Sequence, residues 1–123
     1  MITPKIIDLR PFLPSRDFEV SKAFYGALGF ELTWEGDGLA IFQSEGAQFF
    51  VQNYYHEGWA KNCMMNLVVA DVAAWARHIQ AAGILDRFEG VKVSDAKSGP
   101  HGTILYLTDP AGVLWHIQQR PEA

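Results

Sequence analysis

Few side chains in this sequence are equipped for chemistry, and they are scattered. Four histidines, one cysteine and an arginine near the start stand out among 123 residues. An imidazole changes charge near neutral pH and can act as acid, base or metal ligand. His116 is therefore a candidate ligand or general acid/base, with a hydrogen-bonded pocket-wall histidine as the plainer reading. A guanidinium fork matches carboxylates and phosphates, so Arg10 is a candidate oxyanion clamp, or simply a partner for Asp8. His101 follows Pro100 in a loop and reaches either a pocket or solvent. His56 and His78 read as solvent-side. Cys63 has no visible activating neighbour and reads as a buried thiol. No nucleophile motif, phosphate-cradling glycine loop or Cys/His zinc pattern is present. Trp75 and Trp115 read as core. Trp34 and Trp59 remain open as stacking platforms.

The elements that must position these residues come twice. Asp17 opens a helical stretch that closes at Gly29, and Asp71 opens another that closes at Gly83, 54 residues further on. An Asp accepts hydrogen bonds from the free N–H groups of a first helical turn, and a glycine supplies the stop. Val20, Phe24, Ala27 and Leu28 form one helical stripe; Val72, Trp75, Ile79 and Ala82 form the other. Strands are expected at 5–13, 30–35, 38–43 and 47–54, then at 63–69, 88–94, 103–108 and 113–119. Gly36-Asp37-Gly38, Ser44-Glu45-Gly46 and Asp109-Pro110-Ala111-Gly112 are the turns. Pro11 and Pro14 suit an edge strand or an exchanged arm. The expected fold is α+β: one domain over 1–123, made of two tandem βαβββ modules at about 5–54 and 63–119. An approximate two-fold axis relates them, and their bare sheet faces form a concave ligand site.

Strand alternation sorts the site residues. Val113, Trp115 and Ile117 face a helix, as do Met65, Leu67 and Val69, and Phe49 and Val51. The other parity points Arg10, Phe12, Phe50, Gln52, Met64, Asn66, Leu114 and His116 into the concavity, with Trp59, Tyr54 or Tyr106 as a rim. Apolar walls with a few polar groups describe a small-molecule site.

Bulk composition narrows the partners. The net charge of −4 and the lack of a basic tract disfavour nucleic acid. No apolar run is long enough to span a bilayer, and the N-terminus lacks a signal-peptide core. One cysteine rules out an internal disulfide. The chain reads as cytoplasmic.

Four segments resemble the vicinal oxygen chelate superfamily of glyoxalases, bleomycin-resistance proteins and dioxygenases. They are Leu13-Pro14-Ser15-Arg16-Asp17, Ala23-Phe24-Tyr25-Gly26-Ala27-Leu28-Gly29-Phe30, Val69-Ala70-Asp71-Val72 and Leu107-Thr108-Asp109-Pro110-Ala111-Gly112-Val113-Leu114. The first two are most similar to the bleomycin-resistance branch. That resemblance implies a metal-free homodimer, with an exchanged N-terminal strand, that sequesters a cationic glycopeptide antibiotic. Metal-dependent relatives open each module with a ligand seven residues before the capping Asp, and those positions here are Arg10 and Met64. Arginine has no lone pair to give, and methionine suits soft copper. The last-strand positions fall at Phe50 or Gln52 and at His116, so His116 is the one good ligand.

The expected function is therefore metal-independent binding of a small molecule, with no cofactor and no catalytic residue. The alternative is a glyoxalase-like lyase, isomerase or dioxygenase using one divalent metal through His116 and His101. A regulatory or carrier role is a third reading that the residues do not separate from the first.

Overall fold

The computed structural model describes residues 2–122. The first module runs β1 (Phe12–Pro14), α1 (Phe18–Leu28), β2 (Glu31–Gly36), β3 (Leu39–Ser44) and β4 (Ala47–Gln52). A short α2 (Glu57–Asn62) crosses to the second module. That module comprises β5 (Met64–Val68), α3 (Val72–Ala81), α4 (Ile84–Arg87), β6 (Lys92–Val93), β7 (Lys97–Gly99), β8 (Gly102–Thr108) and β9 (Leu114–Gln119). The sheets are ordered β1-β4-β3-β2 and β5-β9-β8-β6, with β7 also on β8. In each, the first strand of the module lies parallel to the last, and the other neighbours are antiparallel. The repeated α+β plan of two βαβββ units is thus present.

Local chemistry explains the helices. The Asp17 carboxylate accepts from the Val20 N–H and that of Asp71 from the Ala74 N–H, so both helices start at their caps. Gly29 ends α1 with φ 112°, a conformation costly for any residue with a Cβ. The second module departs from expectation: α3 stops at Ala81, and left-handed Gly83 starts the extra turn α4. The α1 stripe is also rotated. Ser21, Phe24, Tyr25 and Leu28 are buried and Val20 is exposed, because Tyr25 finds polar partners in the core.

Strand bounds differ in three places. The expected strand at 5–13 forms only as Phe12–Pro14, where β4 supplies a parallel partner; the Pro11 carbonyl still accepts from the Phe50 N–H, and among the described residues no strand pairs with the residues before Pro11. The expected strand at 88–94 shrinks to Lys92–Val93, because α4 and the Gly90 turn consume its first half. The linker after Tyr54 is a helix capped by His56, whose Nδ1 accepts from the Trp59 N–H.

One core serves both modules. Phe42 and Phe49 from the first sheet meet Trp115 and Ile117 from the second, with Phe24, Tyr25 and Leu28 of α1 between them. At its centre the buried Tyr25 hydroxyl donates to Asp109 Oδ2 at 2.6 Å and accepts from Trp115 Nε1 at 2.9 Å. Asp109 Oδ1 takes the N–H groups of Ala111, Gly112 and Val113, which fixes the last turn. His78 Nε2–H donates to the Leu28 carbonyl at 2.7 Å, tying α3 to the end of α1. Among the described residues no helix is long and apolar enough to cross a membrane.

Candidate functional site

The candidate residues lie on the sheet faces turned away from this core. In register across the first sheet, Phe12 opposes Phe50, Phe50 opposes Ile41, and Ile41 opposes Trp34. Directly opposed residues share a face, so these four side chains form one apolar row. The Phe12 and Phe50 rings stack at 4.4 Å with an interplanar angle of 4°. The Arg10 guanidinium sits 5.0 Å from the Phe50 ring centroid. Phe12 is 45% exposed and Trp34 46%, a large aromatic surface left in water. Gln52 lies in the next row, opposite Pro14 and Leu39. Trp59, 6.1 Å from Tyr54, is on α2, which packs against β1.

The second sheet carries the rest. Asn66 opposes His116, which opposes Tyr106, and Met64 opposes Leu114. The Tyr106 and His116 rings meet edge-on at 4.9 Å. Asn66 Nδ2 donates to Gln118 Oε1 at 3.0 Å, and Gln118 Nε2 donates to the His101 carbonyl at 2.7 Å. His116 Nε2 is buried and has no hydrogen-bond partner among the described residues. A buried ring nitrogen without a partner is costly; a ligand group would relieve it.

The predicted site residues that lie in strands share the outward parity but fall in two groups, while Arg10 precedes β1 and Trp59 sits on α2. Phe12, Phe50 and Gln52 belong to the first sheet, and Met64, Asn66, Tyr106, Leu114 and His116 to the second. Among the described residues no hydrogen bond, ion pair or ring contact joins the groups within one chain. Arg10 precedes β1 and is held by stacking on Phe50 and by an exposed ion pair with Asp8 at 3.5 Å. His101 is exposed and enters the network through its backbone carbonyl. Sequence reading placed Gln118 on the concave parity with Leu114 and His116, but missed Ile41 and Trp34 as row members. Alternation along 38–43 contained the signal for Ile41. Trp34 was hidden by a bulge between Leu32 and Trp34, which puts Leu32 on the core side and turns Trp34 outward.

Among the described residues no three His, Cys, Asp or Glu side chains are grouped to hold a metal ion. The neighbours of His116 are neutral amides, a phenol and apolar chains, a poor donor set for a hard divalent cation. The residues present do not fit the metal site of the metal-dependent relatives. The Cys63 thiol is pushed up by burial and by nearby Asp109, away from nucleophilic reactivity. A cleft of about 710 Å³ lies elsewhere: it opens on the core side between Leu9, Phe30, Phe49, Leu67 and Trp75.

No family model matches the chain. A bleomycin resistance protein from Klebsiella pneumoniae is 30% identical over 117 residues, covering 89% of each chain. The crystal structure of a bleomycin-binding protein complexed with bleomycin has a TM-score of 0.79 at 27% identity, covering 94% of this chain and 100% of that one. A bleomycin resistance determinant encoded on the transposon Tn5 has a TM-score of 0.80 at 24% identity, covering 95% and 100%.

Proposed function

The chain belongs to the bleomycin resistance protein family, and from that premise we propose that it sequesters a small, largely aromatic molecule without a metal ion and without covalent chemistry. The observation that carries this reading is the outward row Phe12, Phe50 and Trp34 flanking the buried Ile41: Phe12 and Trp34 are exposed and Phe50 is half-buried, on a face turned away from the core. Burying such a row against a flat ligand releases apolar surface from water. Arg10, Gln52, Asn66 and His116 supply orientation.

One chain offers two half-sites, so the reading includes a homodimer in which the first-sheet face of one copy meets the second-sheet face of the other. The N-terminal segment supports strand exchange. Ile2, Ile6, Ile7 and Leu9 are all exposed, with no strand partner among the described residues. The core-side cleft beside β5, an edge strand, is an apolar groove of fitting kind. A cytoplasmic setting completes the reading, since a single unpaired cysteine suits a reducing compartment.

The test is a titration of EDTA-dialysed protein with bleomycin and with a panel of planar aromatics, read by tryptophan fluorescence and thermal shift. At least one compound should bind and raise the melting temperature, and Phe50→Ala should weaken it at least ~10-fold by removing a stacked ring. Binding that needs an added divalent metal overturns the metal-free reading. Full affinity in Phe50→Ala moves the site off this row. Raised host tolerance to the bound drug separates sequestration from a carrier role.

A further inference from the structure

We infer that the ligand of these faces is a planar aromatic carrying an oxyanion, seated on the Phe12–Phe50 stack with its anionic group against Arg10; this rests on the binding reading above. It departs from the cationic antibiotic that the family resemblance implied.

The charge distribution carries the argument. The chain holds 14 Asp and Glu residues and a net charge of −4. Strand register places only Glu31 of these on an outward face, beside Gln43 on the edge strand β2. Lys92 shares an outward row with Thr108 and Leu114, and Lys97 one with Ile104 and Gln118. With Arg10, the outward faces therefore carry three fixed cations, against Glu31 and the Asp8 carboxylate that adjoins Arg10. Of the two acids that lie in strands, Glu31 alone is outward, and it sits on the edge strand away from the Phe12–Phe50 stack, where Asp8 is the one carboxylate paired to Arg10 among the described residues.

Local geometry points the same way. A cation can bind an aromatic face directly, but the Arg10 guanidinium already lies over the Phe50 ring, and Phe12 stacks on that ring. A ligand cation arriving there meets a fixed like charge. The Asp8 contact runs from Nε alone at 3.5 Å and both side chains are more than a third exposed, so this pair is weak. The two terminal nitrogens remain as a fork for a carboxylate or similar oxyanion. The polar groups across from it, His116, Asn66 and Gln118, are uncharged amides and an imidazole, which add no anionic pole to attract a cation.

The experiment holds the ring constant and varies the charge. The dialysed protein is titrated with 9-anthracenecarboxylate, 9-anthracenemethanol and 9-anthracenemethylammonium. The carboxylate should bind roughly tenfold tighter than the alcohol, the scale of one charge-assisted hydrogen bond, with the ammonium weakest. Arg10→Gln should abolish the preference for the carboxylate over the alcohol, while Arg10→Lys keeps part of it. Added salt should weaken only the carboxylate. If the ammonium binds tightest, or if Arg10→Gln leaves the ranking intact, the charge inference is overturned; a Phe50→Ala loss for all three would still leave the row as the site. If none of the three binds, the inference falls. Bleomycin binding that weakens in Phe50→Ala would then show that the binding reading survives without it.

Discussion

The two modules share a plan but not a purpose. The caps Asp17 and Asp71 are 54 residues apart, and that offset pairs Phe12 with Asn66 and Arg10 with Met64. Strand order then pairs the β4 residue Phe50 with the β9 residue His116, and Ile41 with Tyr106. Toward the core the modules are alike, with alternating large apolar side chains joined in one cluster. Toward solvent, the first presents an aromatic row with a cation above it. The second presents an amide, an imidazole and a phenol in the equivalent places. The core-facing parity conserves the fold, which leaves the other parity free to diverge into an apolar half-site and a polar one.

The comparison breaks most severely at the point where the modules are tied together. Asp109→Ala would strand the Tyr25 hydroxyl and three backbone N–H groups in the core, and should cost about 4 kcal/mol or more. Urea denaturation should show a protein near the limit of folding, since domains of this size have only about 5–15 kcal/mol in hand. Tyr25→Phe leaves Trp115 Nε1 without its acceptor and should cost about 1–3 kcal/mol in the same assay. An outward substitution should behave in the opposite sense: Phe50→Ala should cost under ~2 kcal/mol, because the ring is only half-buried, yet remove most binding.

Smaller effects sharpen the contrast. His116→Phe removes a buried nitrogen that lacks a partner, so stability should be unchanged or rise by up to ~1 kcal/mol while affinity falls. A clear loss of stability would show that Nε2 is satisfied in the free protein. His78→Ala should cost about 1 kcal/mol through the lost bond to Leu28, the only effect of this group expected at a helix contact between modules.

The pH dependence follows from burial. Desolvation raises the Asp109 carboxyl above its usual 3.8, partly opposed by the Tyr25 hydroxyl and the turn N–H groups. A raised folded-state value means the folded protein holds its proton more tightly. The stability of the native chain relative to Asp109→Asn should therefore fall as pH rises from 3.8 through that raised value, and then level off. Paired urea titrations across this range check the sign.

Much of this was legible in the sequence because period and punctuation are local. The Asp caps, the Gly29 stop and the strand parity that placed Phe12, Phe50, Asn66 and His116 on outward faces all follow from short-range spacing. What was not legible depended on long-range partners. Tyr25 is drawn into the core by Asp109 and Trp115, 84 and 90 residues away, and that rotates the α1 stripe off Val20. The bulge before Trp34 breaks alternation without any glycine to announce it. The segment before Pro11 has strand-like composition but no strand partner among the described residues, so the expected strand contracts to Phe12–Pro14. Parity also could not reveal that one set of outward residues would divide between two faces.

The central claim is that the site joins the first-module face of one copy to the second-module face of another, and mixed dimers test it most directly. Phe50→Ala and His116→Ala proteins, each impaired for the ligand found in the titrations above, are unfolded together, refolded and the heterodimer isolated by differential tags. In a shared site, one of its two pockets carries both substitutions and the other carries neither, so the mixed dimer should regain one full-affinity site. If each pocket were built within a single chain, every pocket would keep one lesion, and a mixed dimer with no full-affinity site would contradict the account.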